Sequence, residues 1–433
     1  MKRYSEYKDS GVKWIGEIPE HWEIRRLKNV VLCNAETLSE NFPKDEVIKY
    51  VEISDVNYTS GITNIQRMPF GEAPSRARRI TKKNDVIVST VRTYLKAVAK
   101  IQEDGLIVST GFAVLHPLIG NSSFLSYFAL SESFIHNVIV NSKGISYPAI
   151  TASDLICIAM PLPPLSEQEA IVTYLDTKVA KIDEYISIAE KKIAALEELK
   201  QSIIAEAVTR GIHKEVPMKD SGVKWIGMIP EHWKIMRLRF VCEFRNGYTP
   251  SKANPKFWEN GTIPWFRMED IRDSGRFLNE AKQYISKEAV KGDGLFEAGS
   301  FILATTATIG EHAMLIADSL ANQRFTNLKI RKSLISKLSR NFFFYYLFVI
   351  DEYCKSTTRK ATFPSVDMTD LKNIGVSIPP IEEQQEIVTY LDSKVANINQ
   401  LCQAERSQIE KLKEYKQRLI SDVVTGKVKV TND

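Results

Sequence analysis

A regular pattern of apolar positions runs from Pro163 to Gly211. Apolar residues recur there at alternating spacings of four and three, the periodicity of a coiled-coil helix, and only Lys200 interrupts the series. Ser166 and Glu169 occupy the positions of a capping box, so the helix is predicted to begin at Ser166. A helix with such a seam needs a partner of similar length and period.

A second copy of this pattern lies 216 residues further along the chain. Polar neighbours of the seam recur too, because Glu167-Gln168 returns as Glu383-Gln384 and the interrupting lysine returns as Lys416. Two unrelated amphipathic helices in separate cores are the alternative, but we expect packing to make no demand on the identity of polar-face side chains. The repeat therefore predicts that the two helices pair. The predicted seam comprises Leu175, Val179, Ile182, Ile186, Ile193, Leu196, Ile203, Leu391, Val395, Ile398, Ile409, Leu412, Leu419 and Val423.

The repeat extends over the whole chain. The segment from Asp9 to Trp22 returns as Asp220 to Trp233, at a shift of 211. Its glycines, proline and tryptophans predict a rigid irregular segment, here called the clasp, at the start of each half. The histidine before the second tryptophan of each clasp has no nucleophile nearby, so its predicted role is structural.

Strand-like runs separated by turn signals follow each clasp, so both halves are predicted to be mixed α/β domains. The predicted boundaries are 1–162 for the first domain, 163–211 for its helix, 212–378 for the second domain, 379–427 for its helix and 428–433 for a tail. The interiors diverge, because Asn246 to Lys252 has no counterpart between Asn34 and Lys49. The predicted strands are Tyr50 to Val56, Asp85 to Val91, Ala97 to Ile101, Phe112 to Leu115, Ile263 to Met268, Phe301 to Thr306, His312 to Ala317 and Thr326 to Ile330.

Composition narrows the class of protein. With 433 residues and 44% hydrophobic content, the chain can bury a substantial core. The longest apolar run, Phe342 to Ile350, is far shorter than the ~18 residues that cross a bilayer, and no apolar signal region follows Met1, so a cytoplasmic location is expected, with no membrane partner. Five cysteines without a Cys-x-x-Cys pair argue against a disulfide framework and a zinc site.

Basic residues cluster in both halves, and aromatic residues are interleaved with them in the second. The net charge of +5 decides nothing by itself, but guanidinium and ammonium groups suit phosphate contacts, and arginine can also bond guanine bidentately. A solvated basic surface over an aromatic core is the alternative at any single position. The candidate DNA-binding residues are Arg76, Arg78, Arg79, Lys82, Lys83, Arg92, Tyr94, Lys96, Lys143, Ser146, Arg245, Tyr248, Thr249, Ser251, Lys252, Arg267, Arg272, Arg324, Arg359 and Lys360.

The sequence contains no familiar catalytic motif. It lacks a Gly-x-x-x-x-Gly-Lys-Ser/Thr phosphate loop, a Gly-x-Gly-x-x-Gly turn, the Asn/Asp-Pro-Pro-Tyr/Phe motif of amino-methyltransferases and a convincing nuclease cluster of carboxylates and lysine. We therefore predict no catalytic residue, no metal site and no cofactor in this chain. Binding without chemistry is the simplest interpretation.

Three motifs in combination carry a resemblance to a known family. They are the clasp pattern Gly-x-x-Trp-Ile-Gly-x-Ile-Pro-x-x-Trp from Gly11 to Trp22, the Gly247 to Pro250 element followed by Ile263-Pro264-Trp265, and the Pro161 to Gln168 helix start. Together they resemble the specificity (S) subunits of type I restriction-modification systems over nearly the full chain. The first half departs from the pattern because it lacks the Gly-Tyr-Thr-Pro element, so contacts cannot be transferred between the halves by position.

The resemblance implies an α+β fold in which two similar α/β target-recognition domains, as tandem half-repeats, are separated by two long antiparallel coiled-coil helices in a pseudo-twofold arrangement. It implies a bipartite double-stranded DNA target and two docked methyltransferase subunits that use S-adenosylmethionine. It also implies restriction subunits that use ATP, with Mg²⁺ likewise expected in the partner subunits. This chain would be a non-catalytic recognition subunit.

Other classes stay open at this point. A duplicated coiled-coil scaffold joining two protein-binding domains would lack the steep salt dependence of DNA binding, and a self-contained methyltransferase would bind S-adenosylmethionine alone. For a DNA-recognition subunit, a helix of 45 residues is roughly 65 Å long and predicts half-sites about one to two DNA turns apart.

Overall fold

The computed structural model describes residues 2–357 and 365–430. The chain divides into two compact units. Unit 1 comprises Met1–Glu190 and Arg406–Asp433, and unit 2 comprises Lys191–Glu405. Each of the two long helices begins in one unit and ends in the other, so each unit contains a segment of both.

The first part of the chain supplies the globular domain of unit 1 and the first long helix. Its strands and helices are β1 Tyr7–Asp9, β2 Glu17–Pro19, β3 Glu23–Arg26, β4 Val31–Cys33, β5 Val47–Val51, β6 Val56–Asn57, β7 Gly61–Ile62, β8 Gln66–Pro69, β9 Ala77–Ile80, β10 Val86–Ser89, β11 Val98–Lys100, β12 Ile107–Ser109, β13 Phe112–Pro117, α1 Ser122–Ala129, α2 Glu132–Val140, α3 Ala152–Leu155, β14 Ala159–Leu162 and α4 Leu165–Arg210.

Two four-stranded sheets form the centre of unit 1. One has the order β11-β10-β13-β4 and is antiparallel, and the other has the order β8-β5-β12-β9, with β5 and β12 parallel. The short strands β1–β2, β3–β14 and β6–β7 pair separately. Strands were predicted at all four places where the structure has β5, β10, β11 and β13, although the first run is broken by a 3-10 turn at Ile53–Asp55.

The second part of the chain supplies the globular domain of unit 2 and the second long helix. Its strands and helices are β15 Met218–Asp220, β16 Met228–Pro230, β17 Lys234–Arg237, α5 Leu238–Val241, β18 Cys242–Asn246, β19 Ile263–Phe266, α6 Met268–Ser274, β20 Phe277–Leu278, β21 Tyr284–Ile285, β22 Phe301–Ala304, β23 His312–Leu315, β24 Leu320–Ala321, β25 Phe325–Ile330, α7 Arg340–Thr357, α8 Met368–Asn373, β26 Gly375–Ile378 and α9 Ile381–Val424.

Unit 2 is built around a five-stranded sheet of order β18-β25-β22-β23-β20 and a three-stranded sheet of order β21-β19-β24. The predicted strands correspond to β19, β22, β23 and β25. The first of these ends earlier than predicted, because Met268 begins helix α6 and is not part of the strand. The sheets pack in two apolar clusters, one of which includes the inner faces of α4 and α9.

The two long helices pair along their apolar seams. In unit 2, Lys192 contacts Glu405 at 2.5 Å and Lys200 contacts Asn399 at 3.2 Å, so residue numbers rise along one helix as they fall along the other. The helices are therefore antiparallel, as the resemblance implied. Every predicted seam position is buried or half-buried. At about 1.5 Å per residue, the 46 residues of α4 span about 69 Å.

The predicted capping box is wrong. Helix α4 begins at Leu165, and the Pro164 carbonyl accepts the backbone N–H groups of Glu167 and Gln168. Ser166 therefore lies inside the first turn, where it cannot act as the N-cap.

The repeated Glu-Gln pairs hold each helix start in place, the glutamate by bonding the clasp and the glutamine by bonding the proline carbonyl before the helix. In unit 1, Glu167 accepts a hydrogen bond from Trp22 Nε1 at 3.0 Å and from the Tyr4 hydroxyl at 2.5 Å, and it lies 2.8 Å from His21 Nε2. Gln168 donates to the Pro163 carbonyl at 2.8 Å. The expectation that packing makes no demand on the polar-face residues is thus wrong, because several of them are buried hydrogen-bond partners.

Unit 2 repeats this arrangement independently. Glu383 accepts from Trp233 Nε1 at 3.0 Å and lies 2.8 Å from His232 Nε2, while Gln384 donates to the Pro379 carbonyl at 2.9 Å.

In the ranges that the structure describes, no helix is both long and apolar enough to cross a bilayer.

Candidate nucleic-acid interface

Two loops of unit 1 lie side by side at one end of its sheets. Residues 90–96 follow β10, and residues 142–150 follow α2. Val91 bridges Ala149, and the Ile150 N–H donates to the Thr90 carbonyl at 2.8 Å. We call these segments the first loop pair.

Cationic and aromatic side chains lie on the first loop pair, and those of Arg92, Tyr94 and Tyr147 are exposed whereas that of Lys96 is half-buried. The Arg92 guanidinium lies over the Tyr147 ring at 5.1 Å, and the Lys96 ammonium lies 5.4 Å from the centre of the Tyr58 ring. Tyr94 is 52% exposed. Lys143 and Ser146, at the turn of the second loop, are also exposed. Positive charge with accessible rings suits phosphate contacts and base contacts.

The remaining basic candidates of unit 1 are divided by strand β9. Its antiparallel pairing with β12 places Arg76 beside the Thr110 N–H, at the end of the sheet where Gly111 contacts Thr90. Arg76 donates to Glu52 at 2.7 Å, and this hydrogen bond raises the pKa of the guanidinium. Lys82 and Lys83 lie beyond the other end of β9, so the structure separates them from the first loop pair.

Arg78 and Arg79 lie within β9 and are half-buried. Arg78 lies over the Phe70 ring at 4.9 Å, and Arg79 donates to the Thr37 hydroxyl at 3.2 Å. Each guanidinium retains one buried nitrogen without a partner among the described residues. Lys82 forms an ion pair with Glu36.

Unit 2 has an equivalent edge, which we call the second loop pair: residues 305–310 after β22, with the segment that begins at Ser365. Thr306 bridges Ser365, and the Val366 N–H donates to the Thr305 carbonyl at 2.9 Å. The same two contacts join the first loop pair. Arg359 and Lys360, which were predicted as contacts here, lie outside the described residues.

The two loop pairs share an unusual backbone but differ in side chains. Arg92 has φ 50° and Ala307 has φ 66°, and each follows the bridged residue of its own loop. Thr90 donates its N–H to the Gly111 carbonyl, whereas Thr305 donates to the Arg324 carbonyl, so Gly111 and Arg324 are equivalent. Unit 1 therefore has an arginine, Arg92, where unit 2 has Ala307, and unit 2 has an arginine, Arg324, where unit 1 has Gly111.

The Gly-Tyr-Thr-Pro element of unit 2 lies against this edge. A side chain at Gly247 is excluded, because a β-carbon there would lie 2.1 Å from the Asn322 carbonyl oxygen. The Thr249 hydroxyl donates to the Gln323 side chain. The element thus places Thr249 beside the exposed Gln323 and Arg324. Ser251, just after this contact, is exposed, as is Lys252.

Three candidate residues of unit 2 form hydrogen bonds or ion pairs with other residues of the same domain. Arg245 donates to the carbonyls of Leu295 and Gly294, both at 2.9 Å. The Tyr248 hydroxyl accepts from the Lys291 N–H at 2.9 Å, and Arg267 forms a 2.6 Å ion pair with a neighbouring glutamate. Arg272 is exposed and lies 3.6 Å from the carboxylate of Glu311, the residue before β23.

Sequence reasoning missed Tyr147, which lies on the first loop pair, and Gln323, which lies beside the second loop pair. A weak signal was available for the edge itself, since Ser-Thr-x-x-Thr at Ser89 to Thr93 returns as Ala-Thr-x-x-Thr at Ala304 to Thr308. The residues that contact Tyr147 and Gln323 in the structure are distant from them in the sequence, so the repeat alone did not identify these two residues.

Two mixed α/β units with equivalent basic edges, each anchored to both members of a helix pair, define a duplicated recognition protein. The sequence model of the type I restriction modification DNA specificity domain matches residues 19–198 and 230–411. The chain therefore belongs to the family of type I restriction-modification specificity subunits, with one copy of the domain in each half. This confirms the family and the fold class that the sequence predicted.

Individual relatives agree with this assignment. The specificity subunit of the type I restriction enzyme EcoprrI from Escherichia coli is 46% identical over 159 residues, which cover 35% of this chain and 40% of that protein. The MjaVIII specificity subunit from Methanocaldococcus jannaschii is 25% identical over 96% of this chain and 95% of that protein. A solved structure from work on type I complex assembly and conformational transition matches 95% of this chain and 99% of its own, with TM-score 0.71 and 26% identity.

Proposed function

We propose that this chain recognises a bipartite double-stranded DNA site, with one half-site read by each unit. In this proposal residues 1–162 and 212–378 are the target-recognition domains, residues 163–211 and 379–427 are the helices, and residues 428–433 are a tail. Two methyltransferase subunits and the restriction subunits dock on the chain. S-adenosylmethionine, ATP and Mg²⁺ act in those partners, and this chain supplies recognition without catalysis.

The observation that carries the proposal is the pair of equivalent loop edges with different side chains. Arg92 and Lys143 on the first edge, and Arg324 and Lys252 on the second, are exposed cations that suit a polyanionic duplex. Because the backbone of the edge is repeated while its side chains are exchanged, each unit can meet DNA in the same way and recognise a different sequence.

The helices set the distance between the half-sites in this proposal. DNA half-sites recur on one face about every 34 Å, and a continuous helix of 46 residues resists changes in length. The bases between the half-sites are then unspecified in sequence but fixed in number. Arg245 and Tyr248 contribute by holding the second edge in position.

Mapping of methylated adenines in cells with and without this chain tests the proposal. We expect one motif with two specified parts and a constant spacer, present only when the chain is expressed with its partner subunits. A methylation pattern that does not depend on the chain would refute it. Duplex binding that hardly changes between low and high salt would favour a protein scaffold instead.

A further inference from the structure

We infer that Arg92 and Arg324 are specificity-determining residues, each of which bonds a guanine in the half-site of its own unit. This inference rests on the proposed function and adds to it the base that is recognised and the side chains that recognise it. It follows from the backbone at Arg92, the free hydrogen-bond donors of both guanidinium groups and the space at Gly111, the position equivalent to Arg324.

The backbone at Arg92 is unfavourable for its side chain. A left-handed conformation such as φ 50° is costly for residues with a β-carbon, and glycine adopts it most easily. The residue that ends the same loop, Lys96, also has a positive φ of 52°, whereas unit 2 ends its loop with Gly310 at 75°. Unit 1 therefore keeps two cations where the fold alone favours glycine, and such strain is typical of functional sites.

The two guanidinium groups have donors to spare. The Arg92 guanidinium lies 5.1 Å from the centre of the Tyr147 ring, and no described residue forms a hydrogen bond or an ion pair with either the Arg92 or the Arg324 side chain. In contrast, Arg76 on the same edge is bound to Glu52. A guanidinium carries five N–H donors in a planar fork, so both arginines are prepared for a bidentate acceptor.

Guanine is the base that offers this acceptor, through O6 and N7 in the major groove. The two units carry their arginines at different positions of the loop edge. In unit 1, a β-carbon at Gly111 would lie 2.6 Å from Ile53 Cδ1 and 2.9 Å from Val91 Cγ2, so a side chain at the position that carries Arg324 in unit 2 would require Ile53 and Val91 to shift. The two half-sites are thus expected to differ in where the guanine stands.

The test uses the chain with its partner subunits in cells, and its readout is the methylated motif. We expect Arg92→Lys to relax one guanine position in one half-site and Arg324→Lys to relax one in the other half-site. Lysine keeps the charge but not the bidentate fork, so a phosphate contact would survive the change. The matched control is Arg67→Lys, an exposed arginine on β8, three strands away from β9 in the sheet, which should leave the motif unchanged.

The intact half-site serves as an internal control for folding. A variant motif identical to the wild-type motif, or an even decrease at all sites, would overturn the inference and leave the proposed function standing. Absence of any chain-dependent motif in the wild type would overturn both. If a variant abolishes methylation, the purified complex is tested on duplexes with and without the guanine. The wild type should discriminate by about 5- to 150-fold, and equal discrimination by the variant would also overturn the inference.

Discussion

Removal of the carboxylate that fastens α4 to its clasp should loosen unit 1 more than the equivalent change loosens unit 2. Glu167 bonds three partners, and two of these, the Trp22 indole and the Tyr4 hydroxyl, are buried at 0% and 9% exposure. Glu383 has one buried donor, the Trp233 indole, beside a histidine that stays accessible. The Glu383 site of unit 2 therefore serves as an internal comparison for the Glu167 site of unit 1.

The expected magnitudes follow from the donors that lose their acceptor. A buried polar group without a partner costs about 1–3 kcal/mol. Glu167→Ala orphans two such groups, so we expect a local destabilisation of about 2–6 kcal/mol, against about 1–3 kcal/mol for Glu383→Ala. Both changes remove the same carboxylate, so the difference comes from Tyr4 alone. In unit 2, the position at the clasp shift of 211 is Glu215, which has no phenolic hydroxyl.

Hydrogen exchange measured peptide by peptide is the suitable assay, because a chain with two units need not unfold in one transition. Each 1.4 kcal/mol corresponds to about a tenfold increase in the exchange rate of the backbone amides that open locally. Glu169→Ala is the matched control, since Glu169 is exposed on the same turn. Equal effects of Glu167→Ala and Glu383→Ala, or a Glu169→Ala effect as large as either, would refute this reasoning.

Three further predictions concern the helices and the clasp. Insertion of one heptad into both α4 and α9 should lengthen the spacer of the methylated motif and leave both half-sites unchanged; an unaltered spacer would contradict the proposed role of the helices. Lys416 donates to Asp183 at 2.7 and 2.8 Å, whereas Lys200 contacts the neutral Asn399 of the other helix and forms its ion pair with Glu197 of its own helix. Asn399→Asp should therefore add an ion pair between the helices and slow exchange in unit 2 by an amount equivalent to about 0.3–1 kcal/mol, an effect that high salt removes. Burial and the hydrogen bond to Glu167 raise the pKa of Tyr4 above its usual value, so its contribution to stability is complete below about pH 10 and is lost as pH rises further. The unit 1 clasp should then open before the unit 2 clasp, and Tyr4→Phe should abolish that difference in exchange.

The sequence by itself determined the duplication, the two long helices and eight of the strands, namely β5, β10, β11, β13, β19, β22, β23 and β25. These are local properties: the spacing of apolar side chains follows the 3.5 or 2.0 residue period of the element, and it can be read without knowing what lies across from it. The start of α4 was predicted one residue late, because the backbone donors near Glu167 bond the Pro164 carbonyl and Ser166 has no capping position to fill.

Only the tertiary structure decided which basic residues share a surface. Arg92 and Lys143 are 51 positions apart, yet their loops are joined by backbone hydrogen bonds, while Lys83 lies closer to Arg92 in sequence and at the other end of β9. The equivalence of Gly111 and Arg324 was likewise invisible, because it is defined by a shared hydrogen bond and not by a repeated residue. Strand pairing and loop closure join residues across long stretches of chain, so the surface that meets a ligand is a product of topology, whereas the elements that carry it are a product of local pattern.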